Sequence, residues 1–207
     1  MGYPADLKMG KLFVVVGNSG VGKTTLVNAL CANNQYATGL EEHAVRPFQA
    51  LFKNDHRYAL ANQVDYLLLR AEQERFIRQG CKPGIQDGGL DMDFQVFTRL
   101  FRQKGFLSAG EFSICERLYC QIRIAQPPPE IIIWMQAPVD VVAARFAHRG
   151  RPLEIAERDD LEAIDFLLQD WLMNPGVQKL IHLDASREDP RYEIPLPGLS
   201  VQLKNHS

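Results

Sequence analysis

Gly17, Gly22, Lys23 and Thr24 stand at the spacing GxxxxGK[ST] within the run GNSGVGKTT. Glycines at that spacing let a loop wrap its backbone N–H groups around phosphate oxygens, while the lysine reaches the outer phosphates and the threonine hydroxyl suits Mg²⁺. Asn18, Ser19, Gly20, Val21 and Thr25 complete the candidate nucleotide loop. Further along, in RFAHRGR, Arg145 and Arg149 lie four residues apart, on one face of any helix, and Arg151 follows the break at Gly150. Such a group suits a lid that neutralises a phosphoryl group in transfer, and it equally suits a solvated helix C-terminus.

Carboxylates complete the chemical inventory. Glu41 and Glu42 follow a strand-like run, where an acid at a sheet edge can accept the proton of an attacking hydroxyl. Asp87 ends GIQD and suits Mg²⁺ through water; both acids also fit helix N-caps. Gln63 and Arg70, seven apart, share a face of a long helical pattern and read by default as surface polar residues, and Asp93 fits a cap or a local pair.

Positioning these groups requires strands alternating with helices. KLFVVVG is a short apolar, β-branched run ending in glycine, and helical composition follows from Lys23 to about Ala32. YATGLEE, GIQDG, EIIIWMQA and KLIHLDA are four more strand candidates. The longest helical pattern is RYALANQVDYLLLRAEQERFIRQG, with Leu60, Val64, Leu67, Leu68 and Ala71 on one face and Gly80 as its stop. Others run from Asp91 to Lys104, Ser108 to Ala125, Val139 to Arg149 and Leu153 to Trp171, and Pro127, Pro128 and Pro129 break the chain before Glu130. The alternation predicts a parallel sheet covered on both faces. After Ala185 the chain turns polar and proline-containing, which predicts a tail over 186–207 that packs loosely or is partly disordered.

A length of 207 residues with 46% hydrophobic content suits one domain with its core over about 11–185. A formal charge of -2 gives no bulk pull toward a nucleic acid polymer or an anionic membrane, so anion binding must be local and the ligand small. Cys31, Cys81, Cys115 and Cys120 form no CxxC pair and read as reduced core residues. The N-terminal residues show no apolar leader and no run reaches membrane-spanning length, so the expected location is cytoplasmic. Leu107, Phe112, Cys115 and Leu118 form an apolar face that suits the core better than a subunit interface.

Across roughly Lys11 to Asp184 these residues resemble the deoxynucleoside kinases, the group that includes deoxycytidine, deoxyguanosine and bacterial deoxyadenosine kinases. The phosphate loop is similar to theirs, as are EEHAVRPF and the lid run RGRPLE. The resemblance implies a three-layer α/β/α P-loop domain with a five-stranded parallel sheet and an arginine-rich lid. It implies ATP with Mg²⁺ as donor, transfer to the 5′-hydroxyl of a nucleoside, and a homodimer. By this likeness Glu41 is the general base, Lys23, Arg149 and Arg151 act on the phosphates, and Arg145 stacks on adenine. Thr24 and Asp87 serve the metal; Gln63, Arg70 and Asp93 read the base, and Glu154 holds the sugar. Two positions depart from the pattern: the family's D/E-R-S reads DGG, so Gly88 replaces an arginine, and Phe52 stands where a tyrosine binds the sugar. Arg46 is one stand-in for the missing charge. A nucleoside monophosphate kinase similar to thymidylate kinase, or a nucleotide-binding sensor with reduced catalysis, are the competing readings.

Overall fold

The computed structural model describes residues 10–32, 36–39, 46–149, 156–174, 179–187, 189, 192 and 195–204. Strands β1 (Leu12–Gly17), β2 (Ala37–Gly39), β3 (Gly84–Asp87), β4 (Ile131–Gln136) and β5 (Leu180–Asp184) pair in the order β2-β3-β1-β4-β5, every pair parallel. The two most apolar runs, LFVVVG and IIIWMQ, take the centre, where both faces of a strand are covered. Because side chains alternate along a strand, β1 and β4 each feed two cores. Phe13, Val15, Ile131, Ile133 and Met135 enter one, and Leu12, Val14, Val16, Ile132 and Trp134 enter the other.

Helices close each core. On one side α1 (Lys23–Cys31), α7 (Val139–Arg149) and α9 (Pro195–Lys204) contribute Leu26, Val27, Leu30, Val142, Leu199 and Leu203. On the other, α3 (Ala59–Gln79) and α8 (Leu161–Leu172) contribute Ile77, Ile164, Leu167, Leu168 and Leu172. The result is the three-layer α/β/α arrangement expected from the sequence.

Several elements differ from that expectation. A helix α2 (Pro47–Asn54) starts with Pro47 in its first turn, where the missing N–H costs nothing. The helix expected over Asp91 to Lys104 is α4 (Leu90–Met92), a π-helical stretch Asp93–Thr98 and α5 (Arg99–Gln103). Among the described residues, the helix expected from Leu153 begins later, with a 3₁₀ turn Arg158–Asp160 leading into α8. The expected loose tail instead carries α9, with Leu199 and Leu203 buried against the first core. Helix α6 (Ala109–Ala125) opens on a capping box between Ser108 and Glu111, with Phe112 and Leu118 packed on Leu67, Leu90 and Phe94. Of the cysteines expected in the core, Cys115 is buried and Cys31 half-buried, but Cys81, just past the end of α3, and Cys120, on the outer face of α6, are exposed.

The expected apolar face of α3 is largely covered, with Leu67 and Ala71 buried and Leu60 and Val64 packed on a core, but the helix buries polar residues as well. Leu68 is 44% exposed, while Asn62, Gln63, Arg70, Glu74 and Arg78 are buried. Two charge groups compensate part of this. Arg78 donates to Glu130 and to the carbonyls of Pro127 and Pro128. Arg123 of α6 donates to both oxygens of Glu74 at 2.9 and 2.8 Å and to both oxygens of Asp91 at 2.7 and 2.9 Å, with Tyr119 also donating to Asp91. Burial holds the Glu74 carboxyl above its ordinary range despite Arg123.

Removing that guanidinium takes from two buried acids the cation that is hydrogen-bonded to both. Arg123→Met is expected to cost about 3–5 kcal/mol. With the Glu74 pKa raised further in the folded state, stability is fully present below the unfolded value of 4.5 and is lost as pH rises through the folded value. Melting temperatures of the variant, relative to the unsubstituted protein, should therefore fall from about pH 4.5 toward neutrality; parallel curves across that window would contradict this account.

Candidate active site

Strand β1 delivers the phosphate loop to the C-terminal edge of the sheet, and β3 lies beside it with Val15 paired to Asp87. That register brings Asp87 to the first turn of α1, where Thr24 Oγ1 donates to Asp87 Oδ2 at 2.5 Å. Asp87 Oδ1 is buried with no hydrogen-bond partner. A hydroxyl beside a carboxylate with one orphaned oxygen is a set of hard donors that fits a divalent cation.

The loop itself is held from outside. Asn18 Nδ2 donates to the Leu161 carbonyl at 2.8 Å and its Oδ1 accepts from the Ser19 amide at 2.8 Å, bracing the loop against the start of α8. Lys23 Nζ donates to the carbonyls of Gly17 and Asn18 at 3.0 and 3.1 Å. Gly22 precedes α1 at φ 108° and no side chain caps the helix, so the first-turn amides suit an anion. A Cβ at Gly22 would collide with the Tyr192 hydroxyl, which donates to the Gly22 carbonyl at 3.3 Å. Gly20 lies against the backbone of Phe146, Val21 is buried and Thr25 is exposed. Arg145 donates to the carbonyls of Ala185 and Ser186 at 2.7 and 3.3 Å, which fixes it over the exit of β5.

A second polar group gathers on the far side of Asp87. Arg70 Nε donates to Asp93 Oδ2 at 2.9 Å, with the two side chains 3% and 7% exposed. Arg70 Nη1 and Gln86 Nε2 both donate to Gln73 Oε1, at 3.2 and 2.9 Å. Gln63 Nε2 donates to Thr98 Oγ1 at 2.7 Å and to the Asp93 carbonyl at 3.4 Å. The π-helical stretch explains this last contact, because its wider turn opens the carbonyl at its first residue to side-chain donors. Gln63, Arg70 and Asp93 thus meet, as the resemblance implies, and as buried groups in place of the surface residues that their spacing alone suggested. Thr98, Gln73 and Gln86 were not foreseen; the one signal in sequence was polar residues recurring on a helix face and inside a buried strand.

Gly88 sits at φ +79°, and a Cβ there would lie 3.1 Å from Arg70 Nη2. The guanidinium beside Gly88 therefore belongs to Arg70. Arg46, the stand-in considered from sequence, is held by Asp65 at 2.6 and 2.8 Å. Phe52 packs among Phe101, Phe106 and His56, with its ring 4.7 Å from that of Phe101, as part of an aromatic wall. Glu41, Arg151 and Glu154 lie outside the described residues, and Arg149 is described only by its backbone at the end of α7.

A parallel sheet whose central strand ends in a phosphate loop, with a lysine and a Thr–Asp pair at its tip, defines the P-loop kinase class of fold. A family model described as deoxynucleoside kinase matches residues 13–192, and the chain belongs to that family. It is 24% identical over 165 residues to a deoxyadenosine/deoxycytidine kinase of Bacillus subtilis (strain 168), covering 78% of this chain and 76% of that one. It is 25% identical over 170 residues to a thymidylate kinase of Psychrobacter sp. (strain PRwf-1), covering 77% and 79%. Its fold matches that of a deoxyadenosine kinase from M. mycoides with bound dCTP at a TM-score of 0.77 and 14% identity, covering 94% of this chain and 99% of the other. Family membership makes the chain a nucleoside kinase that uses a nucleotide as phosphoryl donor. Among the described residues no helix is long and apolar enough to cross a membrane.

The Gly88 geometry yields a counterintuitive expectation. Restoring the family arginine with Gly88→Arg forces an L-residue into the left-handed region and displaces Arg70, so kcat/KM for the nucleoside should fall at least about tenfold. A variant as active as its parent would show that position 88 tolerates the arginine.

Proposed function

We propose that this chain transfers the γ-phosphoryl group of ATP to the 5′-hydroxyl of a deoxynucleoside, with Mg²⁺, as a salvage enzyme. The observation that carries the reading is the corner at Asp87 and Gly88. Asp87 meets Thr24 of the phosphate loop, and Gly88 meets Arg70 of the buried polar row, so a donor half and an acceptor half share two adjacent residues. Deoxyadenosine or deoxycytidine is the proposed acceptor, because the relative from Bacillus subtilis is named for both.

Each group has a role in this reading. Lys23 and the amides at the start of α1 hold the donor phosphates, and the face of Arg145 supports the donor base beside the exit of β5. Thr24 and Asp87 would hold Mg²⁺, which would supply charge neutralisation for the phosphoryl transfer. Glu41 accepts the proton of the 5′-hydroxyl, Arg149 and Arg151 close over the developing charge, and Glu154 holds the sugar, with the wall at Phe52 behind it. Gln63, Arg70 and Asp93 orient the base. The competing monophosphate kinase needs cations for an acceptor phosphate, and Gly88 brings none of its own.

The test is a product assay with ATP and Mg²⁺ against deoxynucleosides, ribonucleosides and their monophosphates. A nucleoside 5′-monophosphate should form, and Glu41→Gln should lower kcat by about 10²–10⁴-fold. Tight ATP binding with no acceptor turned over would favour the sensor reading instead. A homodimer is also part of the proposal, supported by Phe76 and Ile124, 70% and 78% exposed on the adjoining helices α3 and α6. Light scattering on Phe76→Glu/Ile124→Glu is expected to show monomer; an unchanged mass would place any interface elsewhere.

A further inference from the structure

Asn62 has no role in the account above, yet it is 0% exposed and, among the described residues, neither its Nδ2 nor its Oδ1 has a hydrogen-bond partner. A native fold rarely leaves both halves of an amide unpaired, because each orphaned group carries its full desolvation cost. Arg78 in the same helix loses less, since only its Nε is orphaned while its other nitrogens are bonded. Asn62 is therefore either a defect of the ligand-free state or a group held for a ligand.

Its place selects the second. Asn62 immediately precedes Gln63 on α3, three residues after Ala59, which packs with Phe52, and four before the buried Tyr66. By helical spacing it shares a face with Ala59 and Tyr66 and flanks Gln63, which puts it between residues of the aromatic wall and of the Gln63–Arg70–Asp93 row. Gln63 has already committed its amide donor to Thr98 and the Asp93 carbonyl. An acceptor atom on a nucleobase then needs another donor, and an asparagine amide offers a donor and an acceptor side by side.

We infer that Asn62 contacts the nucleobase of the acceptor, its Nδ2 donating to a ring nitrogen or carbonyl and its Oδ1 accepting from an amino group or ring N–H. The inference rests on the nucleoside kinase reading of this site. It makes Asn62 a specificity residue, because a base lacking the matching edge leaves the amide unpaired in the complex. Binding exchanges two orphaned groups for two hydrogen bonds, so the ligand-free protein bears a cost that the correct nucleoside removes.

Asn62→Leu separates this from a structural role, since leucine has similar bulk and no polar atoms. The ligand-free variant should melt roughly 2–4 °C higher or more. Its kcat/KM for the preferred nucleoside should fall by about 10–100-fold, chiefly through KM, with discrimination between bases reduced and the KM for ATP within about twofold. A lower melting temperature would mean that the amide is needed by the fold, and unchanged kcat/KM would mean that no ligand meets it. A uniform loss for every base would assign the contact to the sugar; each of these overturns the inference. If the unsubstituted protein phosphorylates no nucleoside, the kinase reading fails on its own. The rise in melting temperature on adding deoxyadenosine or deoxycytidine then decides: a rise lost in the variant sustains the inference, and no rise in the parent overturns it.

Discussion

The parallel register between β1 and β3 is the constraint on which the rest of the site depends. Leu12 pairs with Gly84 and Val15 with Asp87, so the carboxylate that ends β3 comes level with the chain just before the phosphate loop. One residue of slip would turn Asp87 to the opposite face of the sheet and separate it from Thr24. The register is held because both faces of β1 are buried, each feeding its own core. Gly84 adds a steric lock, since any Cβ there would collide with the Ile77 side chain and push α3 off the sheet.

The same α3 bears the main energetic burden of the site. A helix that buries glutamine, asparagine, arginine and glutamate forgoes much of the hydrophobic gain that usually seats a helix on a sheet. Its position is held instead by Ile77 and Leu67 in two cores and by charges that reach across to α6 and to the segment before β4. Replacing such pairs with apolar groups is often neutral or stabilising. Their retention fits a helix that must present polar groups to a buried ligand and still stay in place. The π-helical stretch belongs to this arrangement: it gives Asp93 a carboxylate aimed at Arg70 and a carbonyl open to Gln63.

How much of this was legible in the sequence follows from which forces set each part. The strands were readable because a fully buried strand is written as a continuous apolar run, and the phosphate loop because backbone wrapping demands glycine at fixed places. The convergence of Gln63, Arg70 and Asp93 was legible through spacing and family likeness. The apolar face of α3 was legible too, apart from Leu68; the burial of its polar row was not, because sequence reads such residues as solvent-facing. Burial of Leu199 and Leu203 was hidden in a stretch whose prolines and charges signal a loop. Arg46 looked available until Asp65 was seen beside it, a pairing across nineteen positions that no local pattern reveals.

The C-terminal segment, read as loose, turns out to join the two sides of the donor site. Tyr192 reaches Gly22 with its hydroxyl, and the carbonyls of Ala185 and Ser186 anchor Arg145. The glycine-rich loop and Arg145 of α7 are therefore both tied to the chain that follows β5. Tyr192 itself sits at φ 51°, an unusual conformation for a residue with a bulky side chain. Its amide donates to the Asp189 carbonyl, its carbonyl accepts from the Leu196 amide, and its side chain lies in the same core as Leu199 and Leu203. A glycine at position 22 is then required twice, once for its backbone conformation and once because Tyr192 occupies the space of a side chain. Loop, helix and C-terminal segment form one mechanical unit, and the phosphate loop inherits its shape from residues at the opposite end of the chain.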